Sequence, residues 1–369
     1  MRISWILCTY IGRHFLAALL GSLAAVMGLI YLFDTIELLR RSASYDDVGF
    51  GAILTLALFK LPQMMERVLP FAVMIAAMVC FVRLTRSREL VVTRSAGVSV
   101  WQILAPVIAV VLVLGVLDVI GFNPLAASLY QRYEQLQDQV LLRNPMESPM
   151  QVGEAGLWLR EAQGDEFVIV HANSVRQEKF DLKLREVSLF VTDDRERLVY
   201  RIEATLGQLR PGHLDLTGVR LMRAEHPVEF FENYQFPTEL TLAKIQDNFA
   251  SPETVSFWEL PGFISFFESA GFSASRQKLY FQSLLSSPLL LCSMVLLAAV
   301  FTLRPDLRSG GQMIRIVGGV VTGFVFYFFS KVVYALGLSA ALPPSLAAWT
   351  PAMVAGLAGM TALLHLEDG

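Results

Sequence analysis

The chain has 369 residues, 54% of them hydrophobic and only 17% Asp, Glu, Lys or Arg, with a formal net charge of −3. Ordinary soluble domains are about a quarter charged, so a purely cytosolic globular enzyme is excluded. Disorder is excluded by the amount of apolar surface that must be buried, and nucleic-acid binding by the lack of a basic balance. Cys8, Cys80 and Cys292 all lie in or beside apolar runs, which rules out a disulfide scaffold and a CxxC metal site. Residues 131–255 hold 35 of the 63 charged side chains. The chain therefore divides into an apolar block (1–130), a polar block (131–255) and a second apolar block (256–369).

A bilayer core of about 30 Å needs roughly 20 apolar residues in a helix. Phe15–Phe33 is uncharged and predicts the first span. Thr55–Val82 predicts the second, interrupted near its start by Lys60, Pro62, Glu66, Arg67 and Pro70. Ser95–Leu117 is the third. Leu125, Leu129, Tyr133, Leu136 and Val140 share one helical face, so this helix is expected to run on beyond the membrane until Pro145 and Pro149 end it. Short alternating runs follow at 156–160, 166–170, 187–191, 198–202 and 213–217, with turn signals such as Gly164-Asp165, Asp193-Asp194 and Pro211-Gly212 between them. They predict an antiparallel sandwich or open barrel. Ser256 with Glu259 reads as a capping box that opens a short helix along the membrane surface, with Gly271 to close it. Leu279–Leu303 is the fourth span. Ile314–Leu366 must be two more, because Pro343-Pro344 cannot continue a helix. The predicted fold is thus a six-span helical bundle, three and three, with an inserted all-β domain.

Arg2, Arg13, Arg83, Arg86, Arg88, Arg94, Arg304, Arg308 and Arg315 collect on one side of these spans. The other short connections carry Arg40, Arg41 and Lys60 mixed with Glu37, Asp46 and Asp47. Basic residues mark the cytoplasmic side, so both termini are expected there and the polar block in the periplasm. The N-terminal apolar stretch is too long for a cleavable leader and lacks a small-residue cleavage site, so it reads as the first span.

No GxxxxGK[ST], HExxH or GxSxG pattern occurs, and Gly49-Phe-Gly51 lacks the third glycine of a dinucleotide loop. His14, His171, His213, His226 and His365 are scattered and predict structural or solvent-facing roles. No metal, cofactor or catalytic residue is expected in this chain; transport or binding remains.

Between spans two and three the chain reads Arg83-Leu-Thr-Arg-Ser-Arg-Glu-Leu-Val-Val-Thr-Arg-Ser-Ala-Gly97. Leu84, Arg88, Val91 and Val92 can share a helical face, with Arg86, Glu89 and Arg94 projecting elsewhere. Two readings stand: a basic anchoring loop, or a coupling helix over about 83–97 that docks in a cytoplasmic ATPase, with Glu89 meeting a base there.

The segment Ser87-Arg-Glu-Leu-Val-Val-Thr-Arg-Ser-Ala-Gly97 resembles a signature of the LptF/LptG permease family. Gly323-Phe-Val-Phe-Tyr-Phe328 resembles that family too, nearer its LptG branch than its LptF branch. Phe263-Ile264 with Glu268-Ser-Ala-Gly271 is similar to its pre-membrane helix, and the three-plus-three layout matches over essentially the whole chain. The resemblance implies a jellyroll-like β domain and export of lipopolysaccharide from the inner membrane. It also implies three partners: a dimeric LptB-like ATPase that consumes the ATP, a second LptF-like permease, and an LptC-like periplasmic bridge. By the same resemblance, Arg86, Arg88, Glu89 and Arg94 would contact the ATPase, and spans one and five would line the openings of a V-shaped cavity.

Such a cargo, acyl chains beneath a phosphorylated head, calls for a site greasy within and cationic at its rim. Arg40 and Arg41 follow span one, and Lys331 lies about 18 residues into span five, roughly 27 Å at the helical rise. These three are candidates for lipid phosphates, arginine doing so bidentately. The alternative for them is snorkelling or pairing with Glu37, Asp46 or Asp47. Phe71, Val73 and Met74 are candidates for acyl contact, the alternative being plain packing. Gln63 stands where some relatives carry a base, and Asp34 and Glu37 weaken the positive field. Two other functions fit the layout: a membrane-held periplasmic binding or assembly protein, and a permease for another lipid or lipoprotein.

Overall fold

A computed structural model of the chain describes residues 5–42, 49–95, 97–141, 151–153, 156–163, 166–178, 181–192, 197–210, 212–223, 226–238, 240, 251–269, 272–303 and 311–368. Arg2, Asp46, Asp47, Pro145, Pro149, Gly164-Asp165, Asp193-Asp194, Pro211, Gly271, Arg304 and Arg308 lie outside the described residues. The chain forms two compact units: Met1–Gln137 with Glu253–Leu260 and Ser275–Gly369, and Asp138–Pro252 with Pro261–Ala274.

Among the described residues of the first unit, six helices are long and apolar enough to cross a membrane: Ile6–Arg41, Phe50–Arg86, Val100–Gln137, Ser275–Thr302, Met313–Leu338 and Pro344–His365. As elements these are α1 (Trp5–Ser42), α2 (Phe50–Arg86), α4 (Val100–Leu117) continuing into α5 (Asn123–Leu141), α7 (Ser275–Thr302), α8 (Gly311–Leu338) and α9 (Pro344–Asp368). The charges and prolines expected to disturb the start of span two do not break it. α2 is one helix of 37 residues with Pro62 and Pro70 inside it. Neighbouring helices can absorb such prolines by satisfying the backbone groups they free. Span three is less regular, with a π-helical stretch at Asp118–Phe122 between α4 and α5. The expected break between spans five and six is present, with Ala340 in the left-handed region at φ 56°.

The bundle core joins Ile11, Phe15 and Leu19 of α1 to buried residues of α2, α4 and α7, among them Phe81, Leu104, Val111 and Val295. Without a hydrophobic drive inside lipid, close backbone approach and side-chain hydrogen bonds hold such helices together. Span four shows both. Ser286 and Ser293 donate to the span-six carbonyls of Ala348 and Ala352 at 3.0 and 2.9 Å. A Cβ on Gly115 of span three would stand 2.8 Å from the Pro288 Cα, so only glycine permits that crossing.

The described residues of the second unit form one antiparallel sheet of seven strands in sequential order. Its strands are β1 (Gln151–Gly153), β2 (Gly156–Gln163), β3 (Glu166–Glu178), β4 (Asp181–Thr192), β5 (Leu198–Arg210), β6 (His213–Arg223) and β7 (Glu229–Pro237). All five expected strands are present, and β3 to β6 are much longer than their alternating stretches. The reason is an irregularity that crosses them together. Asn173 and Ser174, Arg185 and Glu186, Thr205 and Leu206, and Thr217 and Gly218 each expose two residues in succession. Glu186 and Gly218 have φ of 53° and 67° there. The strands keep one register across these positions, with Ala172 opposite Val187 and Ser174 opposite Arg185, so no residue is inserted; a shared kink inverts the in–out pattern and hides the other half of each strand from a search for alternation.

The sheet curls on itself. Leu159 of β2, Val170 of β3, Leu184 of β4, Leu209 of β5, Leu214 of β6 and Phe236 of β7 all line one cavity of only about 10 Å³. Thr238, just past β7, donates to Glu161 of β2 at 2.6 Å. The short helix α6 (Leu260–Ser269) seats Phe267 in this core, with Phe263 and Ile264 packed against it. On this short helix Phe267, Phe263 and Ile264 face the sheet while Phe266 is exposed. Its start is also plainer than expected: Ser256 receives the Glu259 and Leu260 amides through its backbone carbonyl, both at 3.0 Å. The hydrogen-bonded capping box is instead at Ser99–Gln102, opening α4.

Candidate substrate and coupling sites

The segment 83–97 is two pieces rather than one rod. α2 ends at Arg86, Ser87 caps it by donating its amide to the Arg83 carbonyl at 2.9 Å, and Arg88 turns the chain with φ 61°. A separate seven-residue helix, α3 (Glu89–Ser95), follows. Its Leu90 is buried in the bundle core while Val92 is exposed. One face of α3 therefore anchors it and the other is presented. Gly97, at φ 81°, supplies the turn into the Ser99 cap. Arg86 and Arg88 are exposed, and Arg94 is half-buried. Glu89, the expected contact for a base on another protein, accepts a hydrogen bond from the Tyr10 hydroxyl of α1 at 3.2 Å.

At the other candidate positions the chain's own packing is prominent. Arg40 and Arg41 both bind Glu37, each at 2.9 Å, with their guanidinium groups largely exposed. Lys331 is exposed and stands over the Tyr327 ring at 5.4 Å from its centroid. Phe71 packs against Phe324 and Tyr327 at centroid distances of 5.9 and 5.2 Å. Met74 is buried, its thioether filling the space beside Gly323 that a side chain there would occupy. The structure thus brings Phe71, Met74 and, through Tyr327, Lys331 together where spans two and five meet. Arg40 and Arg41 form their own group around Glu37.

Sequence reasoning missed a mostly buried ion pair. Lys60 of α2 lies 2.5 Å from Asp34 of α1, both mostly buried, with Tyr133 facing the ammonium at 5.6 Å. The sequence shows an acid just past the first apolar segment and a base within the second, but not that the two meet. Sequence reasoning also missed a polar group in which the half-buried Glu66 meets the buried Asn123 and Tyr280.

Spans one and five have another property in common. Only 17% of the apolar window of each is buried within the chain, against 56% for spans two and four. Span five exposes Ile314, Val317, Val321, Phe324, Val325 and Phe328 at helical spacing, and span one exposes Leu29, Leu32, Phe33 and Ile36. A contiguous apolar face of this kind suits lipid or another membrane helix.

The family described as "Lipopolysaccharide export system permease LptF/LptG" matches residues 9–365. The chain belongs to the LptF/LptG family. Among curated proteins it is similar to lipopolysaccharide export system permease protein LptG of Escherichia coli strain K12, 25% identical over 358 residues, 94% of each chain. The LptG protein of Haemophilus influenzae is 24% identical over 362 residues, again 94% of each. As a member of the LptF/LptG family with six apolar helices, the chain is a multi-pass inner-membrane protein. The permease fold, six spans with a β unit inserted after the third, is the one this chain adopts.

Proposed function

We propose that this chain is the membrane permease subunit of an ABC exporter that takes lipopolysaccharide from the inner membrane and hands it to a periplasmic bridge. A separate cytoplasmic ATPase dimer consumes the ATP, a second six-span permease faces this one, and a bridge protein receives the lipid. This chain contributes no catalytic group and holds no cofactor. Both termini are cytoplasmic and the strand unit is periplasmic.

The observation that carries the reading is the pairing of two incomplete surfaces. Spans one and five leave their apolar faces uncovered within the chain. α3, at the far end of span two, presents Val92 and the neighbouring Arg88. An ATPase engaging α3 would act directly on span two, and through the hydrogen bond from Tyr10 on span one. On this reading Arg40, Arg41 and Lys331 bind the lipid phosphates, Phe71 and the exposed rings of span five meet the acyl chains, and Met74 supports that wall from behind. Arg40 and Arg41 would exchange Glu37, which each meets through a single nitrogen, for phosphate oxygens that can take two parallel N–H bonds from one guanidinium.

The test is charge reversal on α3. Glu89→Lys should leave membrane insertion and pairing with the second permease intact, yet lose the ATPase from the purified complex and with it lipopolysaccharide-stimulated ATP hydrolysis. Retention of both at wild-type levels would remove α3 as the coupling element.

A further inference from the structure

The outer face of the β unit carries a row of side chains that its core does not use. Cross-strand register runs through Trp158, His171, Ser188, Glu203, Arg220 and Phe230, one residue from each strand from β2 to β7. Their sequence neighbours Val187, Ala204 and Val219 are buried in the core, so the row points away from it. With strands about 4.8 Å apart, the two ends lie roughly 24 Å from each other along the sheet. Both ends are aromatic. Trp158 is 38% exposed, its ring centroid 4.1 Å from that of His171, and Phe230 is 73% exposed.

The middle of the row is polar and lines an open cleft of about 710 Å³, a volume within the range of small-molecule sites. The shared kink makes this cleft. Glu186 and Gly218 take left-handed backbone there, and a Cβ on Gly218 would collide with the Thr205 hydroxyl, which donates to the Thr217 carbonyl at 3.0 Å. Charge then selects among ligands. Among the described residues that line the cleft, Glu186, Glu203 and Glu232 stand against one base, Arg220. Asn173 already donates to Glu186 at 2.9 Å, and Arg201, held over the Phe190 ring at 4.9 Å from its centroid, pairs with Glu203. Three carboxylates oppose an anionic ligand. Arg220 on the same face opposes a cationic one.

We propose that this row is a binding site for an uncharged oligosaccharide. Sugar hydroxyls both donate and accept, which answers acceptor-only carboxylates beside a donor-only guanidinium. The C–H faces of sugar rings carry the partial positive charge that the faces of Trp158 and Phe230 attract. A chain of such rings laid across the strands meets an aromatic surface at each end and Ser188, Glu203 and Arg220 between them. The site lies wholly within the β unit. It does not depend on what the helical unit carries, so it stands or falls separately from the export reading.

The experiment titrates the full-length chain in nanodiscs with linear, uncharged gluco-, manno- and galacto-oligosaccharides, followed by calorimetry and tryptophan fluorescence. At least one series should bind saturably and change the fluorescence. Phe230→Ala removes a side chain that is mostly in solvent, so the unit should stay folded while affinity falls about tenfold with the loss of one stacked ring. Trp158→Ala should weaken binding similarly and abolish the fluorescence change. Leu198→Ala, exposed on β5 but outside the row, should bind as wild type does. Inorganic phosphate and spermine should not compete. Absence of binding in all three series, wild-type affinity in Phe230→Ala, or displacement of the sugar by phosphate or spermine overturns the proposal.

Discussion

Spans one and four have similar lengths of apolar sequence and opposite fates. Span four is wrapped: it touches spans two, three, five and six, glycines let neighbours approach it, and its serines bond outward to span six. Span one is held along one side only. Phe15 and its neighbours pack on spans two and three, Ser22 donates to the Ala72 carbonyl at 3.2 Å, and Asp34 pairs with Lys60. Hydropathy sees the two as equals. What separates them is which faces the chain itself can cover, and the uncovered ones are where an assembled permease must be completed.

The Asp34–Lys60 pair tests how span one is attached, and its loss carries the largest expected effect. Asp34→Leu leaves a mostly buried ammonium without its counter-charge, which costs about 3–5 kcal/mol for a buried pair. Unfolding of the purified chain in detergent should show that loss, with fluorescence from a probe on span one changing first. The double change Asp34→Leu with Lys60→Leu should recover most of it, since an apolar pair of similar size replaces the ions. A double variant no more stable than the single would mean that the pair does not hold the span.

Glycine substitutions sharpen the contrast, because one change should have opposite signs in the two environments. At Gly115 a methyl group meets the backbone of Pro288 at 2.8 Å, and backbone cannot swing aside. Gly115→Ala should therefore destabilise the chain by about 1–3 kcal/mol. At Gly21 of span one nothing lies within 4 Å of the added carbon, so Gly21→Ala should stabilise the isolated chain by up to about 1 kcal/mol through helix propensity. Equal losses at both sites, measured by the same unfolding titration, would show that span one is as enclosed as span four.

Much of this was readable from sequence. The six spans, the break at Pro343-Pro344 and the β insertion follow from hydropathy and proline chemistry, and SRELVVTRSAG with GFVFYF pointed to the family. The failures have specific causes. β3 to β6 read short from sequence because the side-chain period inverts at Asn173, Glu186, Thr205 and Gly218 while the strands stay in register. For 83–97 the anchoring-loop and coupling-helix readings both stay open in the sequence, and nothing in its composition announces the left-handed arginine at position 88 that divides it. For α6 an amphipathic pattern identifies an apolar face without saying what covers it. Phe267 goes into the sheet. The pairing of Asp34 with Lys60 and the cluster at Glu66 needed tertiary geometry, as both join residues far apart in the chain.

Glu37 carries the smallest expected effect and bears directly on the uncovered side of span one. Its carboxylate holds Arg40 and Arg41 at once, one turn away on an exposed stretch of helix. Exposed pairs of this spacing contribute about 0–1 kcal/mol, so Glu37→Gln should hardly move the unfolding midpoint. The guanidinium groups, however, lose the ligand that competes with phosphate. If they form the cationic rim, lipopolysaccharide should crosslink to a photoreactive residue at position 36 more efficiently in Glu37→Gln than in wild type, and the gain should shrink as salt screens the exposed charges. Crosslinking that stays level while stability also stays level would show that Glu37 and its two arginines form a self-contained surface pair, leaving Lys331 to carry the phosphate contact.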